Sequence, residues 1–142
     1  MPLRIVIDTC VVVSACRSRN GASRGVLDLI AARLLTPLAT PALFLQYEAV
    51  LKRPEQQAVS GLTLPEIDRL LAALADAIEP VTVHYAWRPQ LSDPDDEIVL
   101  DAAANGRADA LVTHNIRDFR SAASRFGINL LRPIEILREA LR

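Results

Sequence analysis

Short apolar runs alternate with longer segments of helical period along this 142-residue chain, and that alternation constrains its fold more than any single residue. The first run, Leu3-Arg4-Ile5-Val6-Ile7, is too continuously apolar for a half-exposed strand and suits a parallel strand buried on both faces. Further strands are expected at 34–38, 80–83, 110–113 and 128–131. Between them, Ser23 can cap a helix that turns Val26, Leu27, Ile30 and Leu34 inward. Thr40-Pro41 opens a second helix with Leu43, Tyr47, Val50 and Leu51 on one face, interrupted at Pro54. Thr63-Leu64-Pro65-Glu66 reads as a capping box ahead of Ile67, Leu70, Leu71, Leu74 and Ile78. Asp95-Asp96-Glu97 opens a helix that should stop near Asn105-Gly106, and a terminal helix is expected over 133–141. The pattern predicts an α/β fold: one domain over 1–142, with a mostly parallel sheet of four to five strands and helices on both faces.

Composition narrows the partners. With 51% apolar and 23% charged residues and a net charge of -1, the chain should fold, and any nucleic-acid contact must come from a local patch. Lys52 is the only lysine among 16 basic residues, which excludes mechanisms needing a lysine elsewhere. The others are arginines, whose planar fork suits phosphate. Cys10 and Cys16 have no companions at zinc-site spacing, so a reducing cytoplasm is the expected compartment. No segment reaches the ~18 apolar residues of a membrane span, and the opening residues do not read as a signal peptide. The stretch through Trp87, Pro89 and Pro94 reads as a long loop of the kind that often carries function.

The acids fall at informative places. Asp8 ends the first strand, where open α/β sheets keep their ligand crevice, although an Asp there can equally cap the next helix. Glu48 lies four residues before Lys52, the spacing of an exposed ion pair, yet its neighbours Tyr47 and Val50 set it at the edge of the buried face. Asp93 to Glu97 complement a helix dipole, but three consecutive acids also repel one another, and a cation relieves that. Thr113-His114-Asn115 follows the fourth strand, where Asn115 or Asp118 can cap the next helix. Independent caps have no reason to gather at the ends of two strands and on a helix between them. Gathered there, their oxygens suit Mg2+ or Mn2+.

In Ile5-Val6-Ile7-Asp8-Thr9, Tyr47-Glu48-Ala49-Val50-Leu51 before Lys52-Arg53-Pro54, Asp93-Pro94-Asp95-Asp96-Glu97, and Val112-Thr113-His114-Asn115 with Asp118-Phe119, the chain resembles PIN-domain nucleases. The resemblance runs over nearly the whole length and is nearest to the compact bacterial toxins of toxin-antitoxin pairs. It implies a parallel sheet flanked by helices, a homodimer, a small antitoxin protein as partner, and metal-binding acids at Asp8, Glu48 and Asp96. The chain departs from the family pattern twice. Thr113-His114-Asn115 stands where Thr-x-Asp is common, so either Asp118 substitutes or a second metal is held more weakly. Cys10 stands where many relatives have Asn.

The expected chemistry is Mg2+- or Mn2+-dependent hydrolysis of RNA, with Asp8, Glu48, Asp96 and Asp118 catalytic, Asn115 or Asp118 completing the metal shell, and Thr9 and Thr113 in support. Arg17, Arg19, Arg24, Arg117 and Arg120 are candidates for backbone phosphates, against the alternative of solvated surface arginines. A catalytically degenerate module that binds RNA or protein is the alternative that Asn115 keeps open. A receiver-type signalling domain also gathers acids around Mg2+, but its lysine would have to lie after the last strand. Asp8-Thr9-Cys10 lacks the second Asp of dehalogenase-type phosphotransferases, and no Gly-x-Gly-x-x-Gly turn marks a dinucleotide site.

Overall fold

The computed structural model describes residues 2–86 and 89–142, so Trp87 of the expected long loop lies outside the described residues. Five strands, β1 (Leu3–Ile7), β2 (Leu35–Ala39), β3 (Glu79–Pro80), β4 (Ala110–Val112) and β5 (Leu130–Leu131), form an all-parallel sheet in the order β3-β2-β1-β4-β5. Eight helices connect them among the described residues: α1 (Thr9–Arg17), α2 (Ala22–Ala31), α3 (Pro41–Leu51), α4 (Pro54–Ser60), α5 (Leu64–Ala77), α6 (Pro94–Gly106), α7 (Ile116–Phe126) and α8 (Pro133–Ala140).

The order of strands dictates where a crevice opens. From β1 the chain winds outward through β2 to β3, then returns to lay β4 on the opposite side of β1. That reversal leaves a gap between the connections at the carboxyl ends of β1 and β4, the switch point where such folds bind ligands. Ile7 is in register with Val112, so the next residues, Asp8 and Thr113, emerge side by side. The Asp8 N–H donates to the Val112 carbonyl at 2.9 Å.

Ile5, Val6, Ile7, Leu111 and Val112 are buried, as parallel strands covered on both faces require. α6 lies against β1 and β2 with α3 and α7 beside it, while α2 packs with α1 and α8. Gly106 permits the close approach at the end of α6: a Cβ there would stand 2.9 Å from Val81 Cγ2 and 3.1 Å from Leu38 Cδ1.

Several expectations need correcting. α2 starts at Ala22 with Gly21 at its N-cap, and Ser23 is buried in its first turn. Its hydroxyl is engaged with His114 Nε2 at 2.9 Å instead of capping the helix. Leu34 lies beyond α2 and is exposed, since the helix ends before that turn of the apolar stripe. The third strand is only Glu79–Pro80, extended by one bond from Val81 N to the Ala39 carbonyl at 3.0 Å. It is an edge strand, and residues 82–86 are exposed. The Thr63–Glu66 capping box is present in both directions.

Candidate active site

Asp8 stands at the N-cap position of α1, yet its side chain makes no capping bond. Only 4% exposed, it turns toward β4, where Oδ2 accepts from Thr113 Oγ1 at 2.7 Å and from Cys10 Sγ at 3.2 Å. Thr113 is fully buried. Its single hydroxyl proton goes to Asp8, and its oxygen accepts from the Asn115 N–H at 2.9 Å. One hydroxyl therefore couples the carboxylate after β1 to the backbone after β4. The Cys10 thiol, pushed up to about 12 by burial and then by the Asp8 charge, stays protonated and donates. The departure at Cys10 thus keeps a donor beside the first Asp.

Behind this pair, Tyr47 of α3 is buried and donates its hydroxyl to the Ile7 carbonyl at 2.5 Å, fixing the last peptide of β1. Burial, followed by the charges of Asp8 and Cys10, raises the Tyr47 phenol well above its ordinary range. Since helical residues are spaced 100° apart, Gln46 and Glu48 leave α3 on opposite sides of Tyr47. Gln46 takes the side facing the crevice. Its Oε1 accepts from Thr9 Oγ1, and its Nε2 donates to the Asp95 carbonyl at 3.1 Å. Glu48 instead accepts from Lys52 at 3.2 Å, and Lys52 reaches on to Asp68 at 2.7 Å. The structure therefore joins Gln46, and not Glu48, to the neighbours of Asp8 and Asp96. Counting 100° steps from the inward Tyr47 flags Gln46 as readily as Glu48, and it is the bonds to Thr9 and Asp95 that separate the two.

α6 supplies the second acid. Asp93 caps the helix through Oδ1, which accepts from the Asp95 N–H at 2.9 Å, and this fixes where Asp96 falls. Burial pushes the Asp96 carboxyl up to about 6, with the charges of Asp8, Asp93, Asp118 and Asp95 adding to the rise. Asp8, Asp96 and Asp118 are thus within electrostatic reach of one another. Asp96, Asp118 and Arg117 line one cleft together with Asp93 and the segment 90–92. Among the described residues no group of three or more His, Cys, Asp or Glu stands close enough to hold one ion unaided.

The remaining expected residues divide. Asn115 is exposed at the N-cap position of α7, without a side-chain capping bond, while Asp118 lies in the first turn of α7. Of the arginines, Arg117 lines the acidic cleft. Arg17 donates to Gln56 at 3.2 Å, Arg24 pairs with Asp28 at 3.3 Å, and Arg120 is exposed. Arg19 and Arg24 line a different groove with Arg69. Glu97, not singled out by the sequence, is 4% exposed and accepts from the Gln90 and Leu91 N–H groups at 2.6 and 2.7 Å.

No helix among the described residues is long and apolar enough to cross a membrane. No curated protein matches the sequence. The crystal structure of VapBC2 from Rickettsia felis bound to a DNA fragment from their promoter contains a chain similar to this one, with TM-score 0.60 and 14% identity over 92% of this chain and 98% of that chain. At that identity the likeness speaks for the fold. The family model described as PIN domain matches residues 4–117, most of the sequence, from β1 to the start of α7. The chain belongs to the PIN-domain family.

Proposed function

We propose that this protein is a ribonuclease dependent on Mg2+ or Mn2+, acting in the cytoplasm as the toxin of a toxin-antitoxin pair and held in check by a small antitoxin protein. The observation that carries the reading is the crowding of Asp96 with Asp8 and Asp118 at the switch point, where burial and then the like charges of Asp8, Asp93, Asp118 and Asp95 raise the Asp96 carboxyl. The donor set is made of hard carboxylate oxygens and too few of them for a closed cage. Mg2+ characteristically binds this way, through one or two carboxylates, several waters and the substrate's own phosphate. Asp8 and Asp96 would hold the ion, with Asp118 and the Asn115 amide beside it. Bound there, it would supply charge for the phosphoryl oxygens and a more acidic water.

The protein's own part is to fix and to charge the site. Thr113 and Cys10 occupy Oδ2 of Asp8, which restricts its rotation. Gln46 ties the Thr9 side of the crevice to the start of α6. Asp118 lines the same cleft as Asp96 and can orient a water, and Arg117 offers a guanidinium there for an RNA phosphate. PIN-domain membership and the likeness to a chain of a VapBC complex support the toxin reading.

A second reading, a degenerate PIN domain that binds RNA or a partner without cutting, is favoured by two amides, Gln46 and Asn115, at places bordering the acidic crevice. Sequencing RNA ends in cells expressing the protein separates the two. New 5′ ends that vanish with Asp8→Asn support the nuclease, and end profiles identical for both proteins overturn it.

A further inference from the structure

Glu97 follows Asp96 on α6, and the 100° step turns it away from the crevice into the protein. Its Oε1 receives two backbone N–H groups, from Gln90 at 2.6 Å and Leu91 at 2.7 Å. Among the described residues its Oε2 is buried without a hydrogen-bond partner. A buried carboxylate with one oxygen unsatisfied is an unfavourable way to hold a loop, since an apolar residue would fill the same space without the desolvation. Its geometry does something an apolar residue cannot. Gln90, held by Glu97 through its backbone, also accepts the Arg125 guanidinium on its side-chain oxygen. Arg125 is on α7, two turns after Asp118. Segment 90–91 is therefore a strap between α6 and α7, the two helices that carry Asp96 and Asp118, and it lines the cleft that both acids face.

We propose that Glu97 is a positioning residue: through the Gln90–Arg125 strap it sets the separation of the Asp96 and Asp118 carboxylates, and so the affinity of the site for a divalent cation. The inference rests on the metal-dependent reading above. Groups that orient metal ligands without touching the ion typically change affinity by about 10–100-fold when removed. Glu97→Ala should weaken Mn2+ binding by about tenfold, and Arg125→Ala should act in the same direction by less. Because one strap serves both contacts, the double variant should bind about as weakly as Glu97→Ala alone, where independent contacts would multiply. Glu97→Gln keeps a carbonyl oxygen for the two N–H groups and should restore affinity to within about threefold of wild type.

Mn2+ titration followed by electron paramagnetic resonance, together with amide exchange at Gln90 and Leu91, tests this on the full chain. The expected result is faster exchange and weaker binding in Glu97→Ala, with RNA cleavage regained at higher Mn2+ and an unchanged maximal rate. Faster exchange with unaltered Mn2+ affinity would show a merely structural strap, and unaltered exchange would show no strap; either overturns the proposal. Failure of the nuclease reading looks different, because wild-type protein would then bind Mn2+ without cutting RNA, or bind none.

Discussion

Thr113 Oγ1 donates to Asp8 Oδ2 at 2.7 Å across the boundary between β1 and β4, with both side chains buried. The bond joins the ends of two adjacent parallel strands at the switch point, and it explains why an Asp in an N-cap position leaves α1 uncapped. The hydroxyl also accepts from Asn115 N at 2.9 Å, so one small side chain satisfies a carboxylate and a backbone donor together.

Thr113→Val keeps the shape and removes both bonds. Leaving buried polar groups unsatisfied costs about 1–3 kcal/mol, so denaturant unfolding should show a loss of that size. Thr113→Ser should recover most of it. A Val variant as stable as wild type would mean the bond contributes nothing.

Asp96, at about 6, lies above the ordinary aspartate range, so the metal-free folded protein holds this proton to higher pH than the unfolded chain does. The resulting stability is fully present below the unfolded value, near pH 4, and is lost as pH rises through about 6. Melting temperatures of metal-free wild type should therefore fall relative to Asp96→Asn across that window. Parallel profiles for the two proteins would refute the shift.

Asp118 is one of the charges that raise Asp96. Asp118→Asn should lower the Asp96 pKa and weaken Mn2+ binding, whereas Asn115→Ala should leave the Asp96 pKa in place. Carboxyl NMR titration measures both, and the reverse pattern would assign the fourth corner to Asn115.

Gln46 and Glu48 give opposed expectations for α3. Gln46→Ala breaks the link between Thr9 and Asp95 and should reduce cleavage about tenfold, as loss of a ligand-orienting group does. Glu48→Gln removes a half-exposed ion pair with Lys52, worth under about 1 kcal/mol, and should leave the rate nearly unchanged. A larger loss from Glu48→Gln would return the helical ligand to that position.

Much of this was legible in the chain itself. The apolar run before Asp8 and the Thr63–Glu66 capping box are local signals, and local signals survive folding. Asp8 and the acidic first turn of α6 could be placed because strand ends and first helical turns are readable from pattern, whereas the choice of Asp96 within that turn and the site role of Asp118 rest on the resemblance to PIN domains. The choice of Gln46 over Glu48 was not readable, because both flank the inward Tyr47 and the side that meets the crevice is settled by Thr9 and Asp95, 37 and 49 residues away. Ser23 misled for a similar reason: its hydroxyl answers to His114, a partner 91 residues away. Glu97 hid among acids that all suit a helix start, and only its burial separates it from Asp95.

The central claim is that Asp8 and Asp96 together support metal-dependent RNA hydrolysis. Its most direct test is the cleavage rate of an end-labelled RNA by purified wild type, Asp8→Asn and Asp96→Asn at one Mg2+ concentration, with an EDTA control. The account predicts cleavage by wild type that EDTA abolishes and that each variant loses by at least about a hundredfold. Equal cleavage by all three proteins, or cleavage that persists in EDTA, would contradict it.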